Sequence, residues 1–261
     1  MLILLLVCTA TLAPALAPYD PLRINATLRL QPPSLAHPLG TDDFGRDILS
    51  RIIYGARVSM LIGASAAALS TLLATIMGLI SGYYGGPVDM VLQRGIDALM
   101  AFPGLVVLLT IMAILGQGLG NVVLALGIGG AAGNTRLVRS AVLAVKESPY
   151  VEAARALGCP DWQIILRYIL PNVAAPIIVV ATLGMGAAIL AESSLSFLGF
   201  GVPPSTPSWG GMLSGSGRTY LLNAPWMAIS PGLAICLTVF GCNMLGDALR
   251  DVLDPKLRRG L

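Results

Sequence analysis

The 261-residue chain is 56% hydrophobic and only 11% charged, and its formal net charge is +3. Soluble domains carry about 25% charged residues, so a deficit of this size predicts an all-α integral membrane protein. The net charge is too small to indicate a nucleic-acid partner. The single histidine, His37, and the four cysteines without a CxxC pair leave almost no material for a metal site or a histidine-based triad.

Residues 1–17 are apolar and uncharged. We expect them to form the first transmembrane helix, with a basic cytoplasmic lead-in that is short or missing. The alternative is a cleaved signal peptide, because Ala15-Leu16-Ala17 resembles a cleavage site. No basic region precedes the apolar run, and this favours the transmembrane helix.

Residues 18–57 are predicted to form an extracytoplasmic loop. Five prolines exclude a long helix from its first half. Farther along, Thr41 or Asp42 is expected to cap a short amphipathic helix that runs toward Arg57. We expect this helix to lie at the membrane interface.

Two further apolar stretches follow. Val58 to about Ile80 is free of charge and long enough for a span, and its many small residues suit close helix packing in lipid. Tyr83 and Tyr84 are expected in the aromatic belt at its end. Residues 98–135 also lack charge but are too long for one span.

Glycines at 116–120 divide that second stretch into two spans, and Pro103 is expected to kink the first of them. The second is expected to continue as a helix through Arg136 and Arg139. The last two spans are predicted at Tyr168–Ala191 and from Trp226 to about Gly246, which gives about six transmembrane helices.

The distribution of basic residues predicts the topology. One side of the six-span arrangement holds ten basic residues and the other holds six, so the first is expected to be cytoplasmic, with both chain termini on it. The ten are Arg94, Arg136, Arg139, Lys146, Arg155, Arg167, Arg250, Lys256, Arg258 and Arg259.

The sequence lacks the P-loop, HExxH and GxSxG motifs of nucleotide-binding and hydrolytic enzymes. Neither of the two lysines, Lys146 and Lys256, follows a glycine, so the chain has no P-loop for ATP. It has no HExxH motif, and Gly63-Ala64-Ser65-Ala66-Ala67 fails the GxSxG pattern at its last position. The sequence therefore predicts a protein that is not an enzyme and contains no cofactor.

Three acidic residues stand near the ends of spans, where burial would be costly. Asp97, Glu192 and Asp247 are expected to be solvated at an interface, as helix caps or as partners of Arg94 and Arg250. The alternative for Glu192 is that it faces an aqueous translocation path or the side of a binding protein, where it would meet a peptide amino group or a cation. The residues assigned to that path are Glu192, Ser193, Ser196 and Trp209.

Residues 146–172 form a polar, helix-prone island between apolar runs. Ser148 and Pro149 indicate a helix start, and a short helix is predicted over Val151–Leu157. Gly158 and Pro160 stop it. Asp161 is then expected to cap a second helix whose Trp162, Ile165 and Ile169 share one face. Two short helices at a sharp angle would make a compact knob for a soluble partner, whereas the plainer alternative is a connecting loop.

The same island carries a recognisable pattern. Glu152-Ala153-Ala154, then Gly158, then Leu170-Pro171 fall at the spacing of the EAA motif, although Tyr168 stands where isoleucine is common. The chain thereby resembles permease subunits of bacterial ATP-binding-cassette importers. Further stretches resemble the dipeptide, oligopeptide and nickel branch of that family, namely 39–47, 82–86, 191–201 and 246–255.

The resemblance implies a type I importer fold in the bacterial cytoplasmic membrane, with a permease domain over 58–247 and a cytoplasmic tail over 248–261. It also implies a second permease subunit, two ATPase subunits that hold ATP and Mg²⁺, and an extracytoplasmic substrate-binding protein. The knob would be the cytoplasmic coupling helix that contacts an ATPase subunit. The coupling residues would be Glu152, Ala153, Ala154, Arg155, Leu157, Gly158, Cys159, Pro160, Leu170 and Pro171.

The function implied is ATP-driven import of di- or oligopeptides by alternating access. Import of nickel, a metal chelate or another small solute through the same architecture is the first alternative. An autonomous channel or membrane enzyme is a more distant one.

Overall fold

The computed structural model describes residues 2–253, and within them the chain is helical, with no strand beyond a single bridge between Thr41 and Asp47. The prediction of an all-α membrane protein is confirmed. Its helices are α1 Leu2–Thr11, α2 Ala13–Leu16, α3 Ile48–Tyr84, α4 Gly86–Met100, α5 Gly104–Leu115, α6 Leu119–Lys146, α7 Pro149–Ala156, α8 Asp161–Gln163, α9 Ala174–Phe197, α10 Trp209–Leu213, α11 Ser216–Thr219 and α12 Trp226–Leu253. The predicted tail lies outside the described residues from 254 onward.

Three helical stretches in the described part of the chain are long and apolar enough to cross a membrane: Ile48–Tyr84, Asp161–Phe197 and Trp226–Leu253. The pair α4 and α5 makes a fourth if it is one broken span. Helix α1 is apolar but only 10 residues long. Helix α6 carries three basic residues in its C-terminal half. Length and hydropathy therefore identify fewer transmembrane helices than the six predicted from the sequence pattern.

Helix α3 is 37 residues long, or about 55 Å. Its N-cap is Asp47, whose carboxylate accepts a hydrogen bond from the Ser50 amide at 2.8 Å. The prediction of a separate interfacial helix capped by Thr41 or Asp42 is wrong. Asp42 instead accepts hydrogen bonds from the Phe44 and Arg46 amides, which close a turn before the helix can begin.

Small residues let α3 and α6 approach closely. Ser70, Ala74, Gly78 and Gly82 recur every four residues on one side of α3 and are buried. A Cβ atom added to Gly78 would lie 2.7 Å from the Cβ of Val138 on α6. This agrees with the expectation that the small residues of this span serve helix packing.

Helices α4 and α5 are bent by 91° at residues 101–103. Pro103 stands at the N-cap of α5, so it separates two helices and does not merely kink one. Ion pairs tie α4 to α6, with Asp89 bound to Arg139 at 2.5 Å and Asp97 bound to Arg136. The sequence predicts that Asp97 is solvated, as a helix cap or as a partner of Arg94; Asp97 is exposed, and its ion-pair partner is Arg136, not Arg94.

The Ile48 end of α3 is covered by a cap made of residues 17–47 and 198–225. An apolar cluster of Ile48, Met212, Ala224 and Met227 joins its two parts, because Leu30 and Leu39 of the first part pack against it. The indole of Trp226 donates a hydrogen bond to the Thr41 carbonyl at 3.2 Å. At the opposite end of α3 lies the segment that was predicted to form a knob.

Candidate coupling site

Helix α7 begins and ends close to the predicted positions and presents two different faces. Val151 and Ala154 are buried in an apolar cluster with residues of α3 and α6. Glu152, Ala153 and Arg155 are exposed on the other face. The Glu-Ala-Ala sequence thus places a charge and a small side chain outward, where a partner surface can approach closely.

The turn after α7 is built on Gly158, whose φ of +79° lies in the left-handed region. The Gly158 amide donates to the Arg155 carbonyl at 3.0 Å, and the Cys159 amide donates to the Ala154 carbonyl at 3.1 Å. These two bonds form a Schellman motif. The motif leaves Leu157 projecting at the tip with 84% of its surface exposed, while Cys159 is partly buried and Pro160 precedes the next helix.

The second arm of the knob differs from its prediction. Pro160, not Asp161, occupies the N-cap position of α8, and no side chain caps the helix. Trp162 does not share a face with Ile169, because Trp162 is 65% exposed and Ile169 is fully buried. The reason is a π-helical segment over Ile164–Ile169, in which the Leu170 amide donates to the Ile165 carbonyl five residues back.

The π-helical segment leads into a 3₁₀ turn over Leu170–Val173. Pro171 supplies no amide hydrogen there, so regular α-helical bonding cannot continue across it. The side-chain amide of Asn172 donates to the Tyr168 carbonyl at 2.6 Å. Leu170 packs against the apolar cluster and Pro171 is exposed. These two predicted site residues therefore form the joint between knob and span and do not lie on the exposed face of α7.

Sequence reasoning missed the contact that fastens the knob to α3. Tyr83 was assigned to an aromatic belt, but it is only 5% exposed, whereas Tyr84 is 51% exposed. The Tyr83 hydroxyl donates a hydrogen bond to the Asp161 carboxylate at 2.6 Å. The Arg155 guanidinium carbon lies 6.0 Å from the centroid of the Tyr83 ring. Residues 78 positions apart carry no local signal for such a contact.

The residues assigned to a translocation path lie at the other end of α3 and are buried. Glu192, Ser193, Ser196 and Trp209 are each less than 10% exposed. The expectation that Glu192 is solvated at an interface is wrong, because this residue of α9 is fully buried. The Ser196 hydroxyl donates to Glu192 Oε1 at 2.7 Å, while Oε2 has no hydrogen-bond partner among residues 2–253.

Trp209 joins this buried group to α3. Its amide donates to the Ser59 hydroxyl at 3.2 Å, and its indole donates to the Ile52 carbonyl at 3.0 Å. Within residues 2–253, no group of histidine, cysteine, aspartate and glutamate side chains has the arrangement of a metal site.

Comparison with known proteins identifies the class. Residues 74–259 match the family described as "binding-protein-dependent transport system inner membrane component". The chain is 47% identical over 249 residues to the dipeptide transport system permease protein DppC of Alkalihalophilus pseudofirmus, covering 95% of this chain and 82% of that protein. It is 43% identical over 259 residues to the glutathione transport system permease protein GsiD of Pectobacterium atrosepticum, covering 99% and 86% of the two chains.

Among solved structures, the chain resembles a subunit of the MetNI methionine ABC transporter in an inward-facing conformation. The TM-score is 0.63 at 16% identity, and the match covers 79% of this chain and 98% of that one. This likeness shows the fold, which is that of type I ABC importer permeases.

The chain belongs to the binding-protein-dependent transport system inner membrane components. It is a permease subunit of an ATP-driven importer, and the prediction that it is not itself an enzyme is confirmed by this membership. The EAA motif at Glu152–Gly158 and the coupling helix are features of the family.

Proposed function

We propose that this chain is one of two permease subunits of an importer that carries di- or oligopeptides across the bacterial cytoplasmic membrane. The observation that supports peptides is the 47% identity to a dipeptide permease over nearly the whole chain. The second permease is a related chain, and an extracytoplasmic binding protein delivers the cargo. ATP and Mg²⁺ are held by two separate ATPase subunits.

The exposed face of α7 is the docking surface for an ATPase subunit in this proposal. Glu152 makes a polar contact, Ala153 permits close approach, and Leu157 supplies an apolar tip. Ala154 holds the helix through the apolar cluster, and the exposed Arg155 reaches the Tyr83 ring. The knob end then faces the cytoplasm, and the cap faces the binding protein.

This orientation agrees with the distribution of basic residues. Arg139, Lys146, Arg155 and Arg167 lie toward the knob end of the helices, as expected for the cytoplasmic side. Both chain termini are proposed to lie on that side as well. ATP-driven movement of the knob would tilt the packed helices and so expose the cargo alternately to the two sides.

The cargo is tested with the full complex in proteoliposomes that contain ATP. We expect ATP-dependent accumulation of radiolabelled alanyl-alanine when the binding protein is added, and none when ATP is omitted. A nickel–histidine chelate and glutathione are run in parallel. Accumulation of the chelate without either peptide would contradict the peptide proposal, and accumulation without the ATPase subunits would contradict the importer.

A further inference from the structure

The knob is joined to α3 by side chains alone. Its two covalent connections run into α6 and into α9, and the second passes through the π-helical and 3₁₀ segments. Such irregular helix is a common place for a change of geometry. A directed side-chain contact therefore adds to the packing of α3 against α6 in making α3 follow the knob when an ATPase subunit moves it.

The contacts to α3 are of two kinds. Leu79 and Tyr83 pack against Val151, Ala154 and Ile164 in the apolar cluster, and this packing has little directionality. The directed contacts are the hydrogen bond from the Tyr83 hydroxyl to the Asp161 carboxylate and the placement of Arg155 near the Tyr83 ring. Tyr83 thus touches residues of both arms of the knob.

The other end of α3 is fastened to the cap. Trp209 donates hydrogen bonds to the Ile52 carbonyl and the Ser59 hydroxyl. Helix α3 is continuous over its 37 residues, or about 55 Å, and carries both these contacts and Tyr83. Helix α3 thus meets the knob at Tyr83 and the cap at Ile52 and Ser59, beside α9, which connects the two covalently.

From this geometry we propose that Tyr83 and Asp161 form a latch that makes α3 move with the knob. They are positioning residues, and they set how much cargo is carried for each ATP hydrolysed. The proposal rests on the proposed function, because it assumes that α7 docks an ATPase subunit. A hydrogen bond to a charged group suits this role, since it is stronger and more dependent on geometry than apolar packing.

The test compares Tyr83→Phe with Tyr84→Phe in the reconstituted complex. The first removes only the latch hydroxyl and keeps the ring in the cluster, and the second makes the same chemical change on an exposed neighbour. We expect Tyr83→Phe to lower the cargo accumulated per ATP hydrolysed by about tenfold, the factor that one lost charge-assisted hydrogen bond corresponds to. Tyr84→Phe should leave the ratio unchanged.

Asp161 variants separate the latch from general destabilisation. Asp161→Ala should lower the ratio as much as Tyr83→Phe, and the double variant should fall no further. Asp161→Asn keeps an oxygen that accepts the hydrogen bond and should stay within about threefold of wild type. ATP hydrolysis without cargo should persist in Tyr83→Phe, in both Asp161 variants and in the double variant. The reason is that the ATPase sites are on other subunits.

Three results would overturn the latch: a ratio for Tyr83→Phe within twofold of wild type, an equal fall in Tyr84→Phe, or a loss of uptake explained wholly by less assembled complex. The ratio is measured with whichever of alanyl-alanine, glutathione and the nickel–histidine chelate the wild-type complex accumulates. Failure of the latch is thereby distinguished from failure of the peptide proposal.

Discussion

Glu152→Lys is expected to abolish ATP-driven uptake while the complex still assembles. Glu152 is exposed on α7, and its neighbours Val151 and Ala154 carry the packing against the rest of the protein. The substitution reverses a charge at the proposed contact with an ATPase subunit, and like charges brought together at an interface cost several kcal/mol. We expect uptake to fall at least about a hundredfold, measured as ATP-dependent accumulation in proteoliposomes.

Glu147→Lys is the matched control for this change. Glu147 is exposed at the C-cap of α6, five residues before Glu152, and the same charge reversal there leaves α7 intact. A lysine at a helix C-terminus is also compatible with the helix dipole. Unchanged uptake in Glu152→Lys, or an equal loss in both variants, would show that the exposed face of α7 does not carry the coupling.

Gly78→Leu should destabilise the protein more than a substitution at an open glycine. The first added carbon would lie 2.7 Å from Val138 Cβ and 3.0 Å from the Arg139 backbone nitrogen. The backbone cannot yield without separating α3 from α6, so we expect a loss of about 3 kcal/mol. The measurement is the apparent Tm of the purified complex in detergent, followed by the loss of monodisperse protein on heating.

Gly95→Leu in α4 is the control, because no atom in the described part of the chain lies within 4 Å of a Cβ built at Gly95. It should lower the apparent Tm much less than Gly78→Leu. Equal Tm values for wild type and Gly78→Leu would contradict the close approach of α3 and α6.

The parts of the site that depend on neighbouring residues were predictable from the sequence. Ser148 and Pro149 mark the start of α7, and Gly158 supplies the left-handed residue that ends it. The exposure of Glu152 follows from its place between Val151 and Ala154 on a short helix. These features need only local rules of helix formation.

The parts that depend on how helices pack were not predictable. Tyr83 follows an apolar span and looks like a belt residue, but the contact with Asp161 buries it. Glu192 follows a span in the same way, yet α9 continues to Phe197 and turns Glu192 inward. In each case the deciding neighbour is far away in the sequence, so a periodic pattern cannot identify it.

Helix irregularity is the second source of error. Pro171 was read as part of a motif at the start of a span, and the π-helical segment that precedes it was not anticipated. The extra residue in that turn rotates Trp162 away from Ile169. Patterns that assume 3.6 residues per turn fail wherever the backbone departs from it.

The central claim is that the knob docks an ATPase subunit and the cap faces the opposite side of the membrane. Photo-cross-linking from the knob and from the cap tests it most directly. A benzoylphenylalanine is placed at Leu157, at the tip of the knob, or at Leu222, in the cap, where the native side chains are 84% and 94% exposed. Irradiation of membranes that contain the full complex should join the Leu157 variant to an ATPase subunit and leave the Leu222 variant without such a product. Cross-links to the ATPase subunit from Leu222 and none from Leu157 would contradict both the orientation and the coupling site.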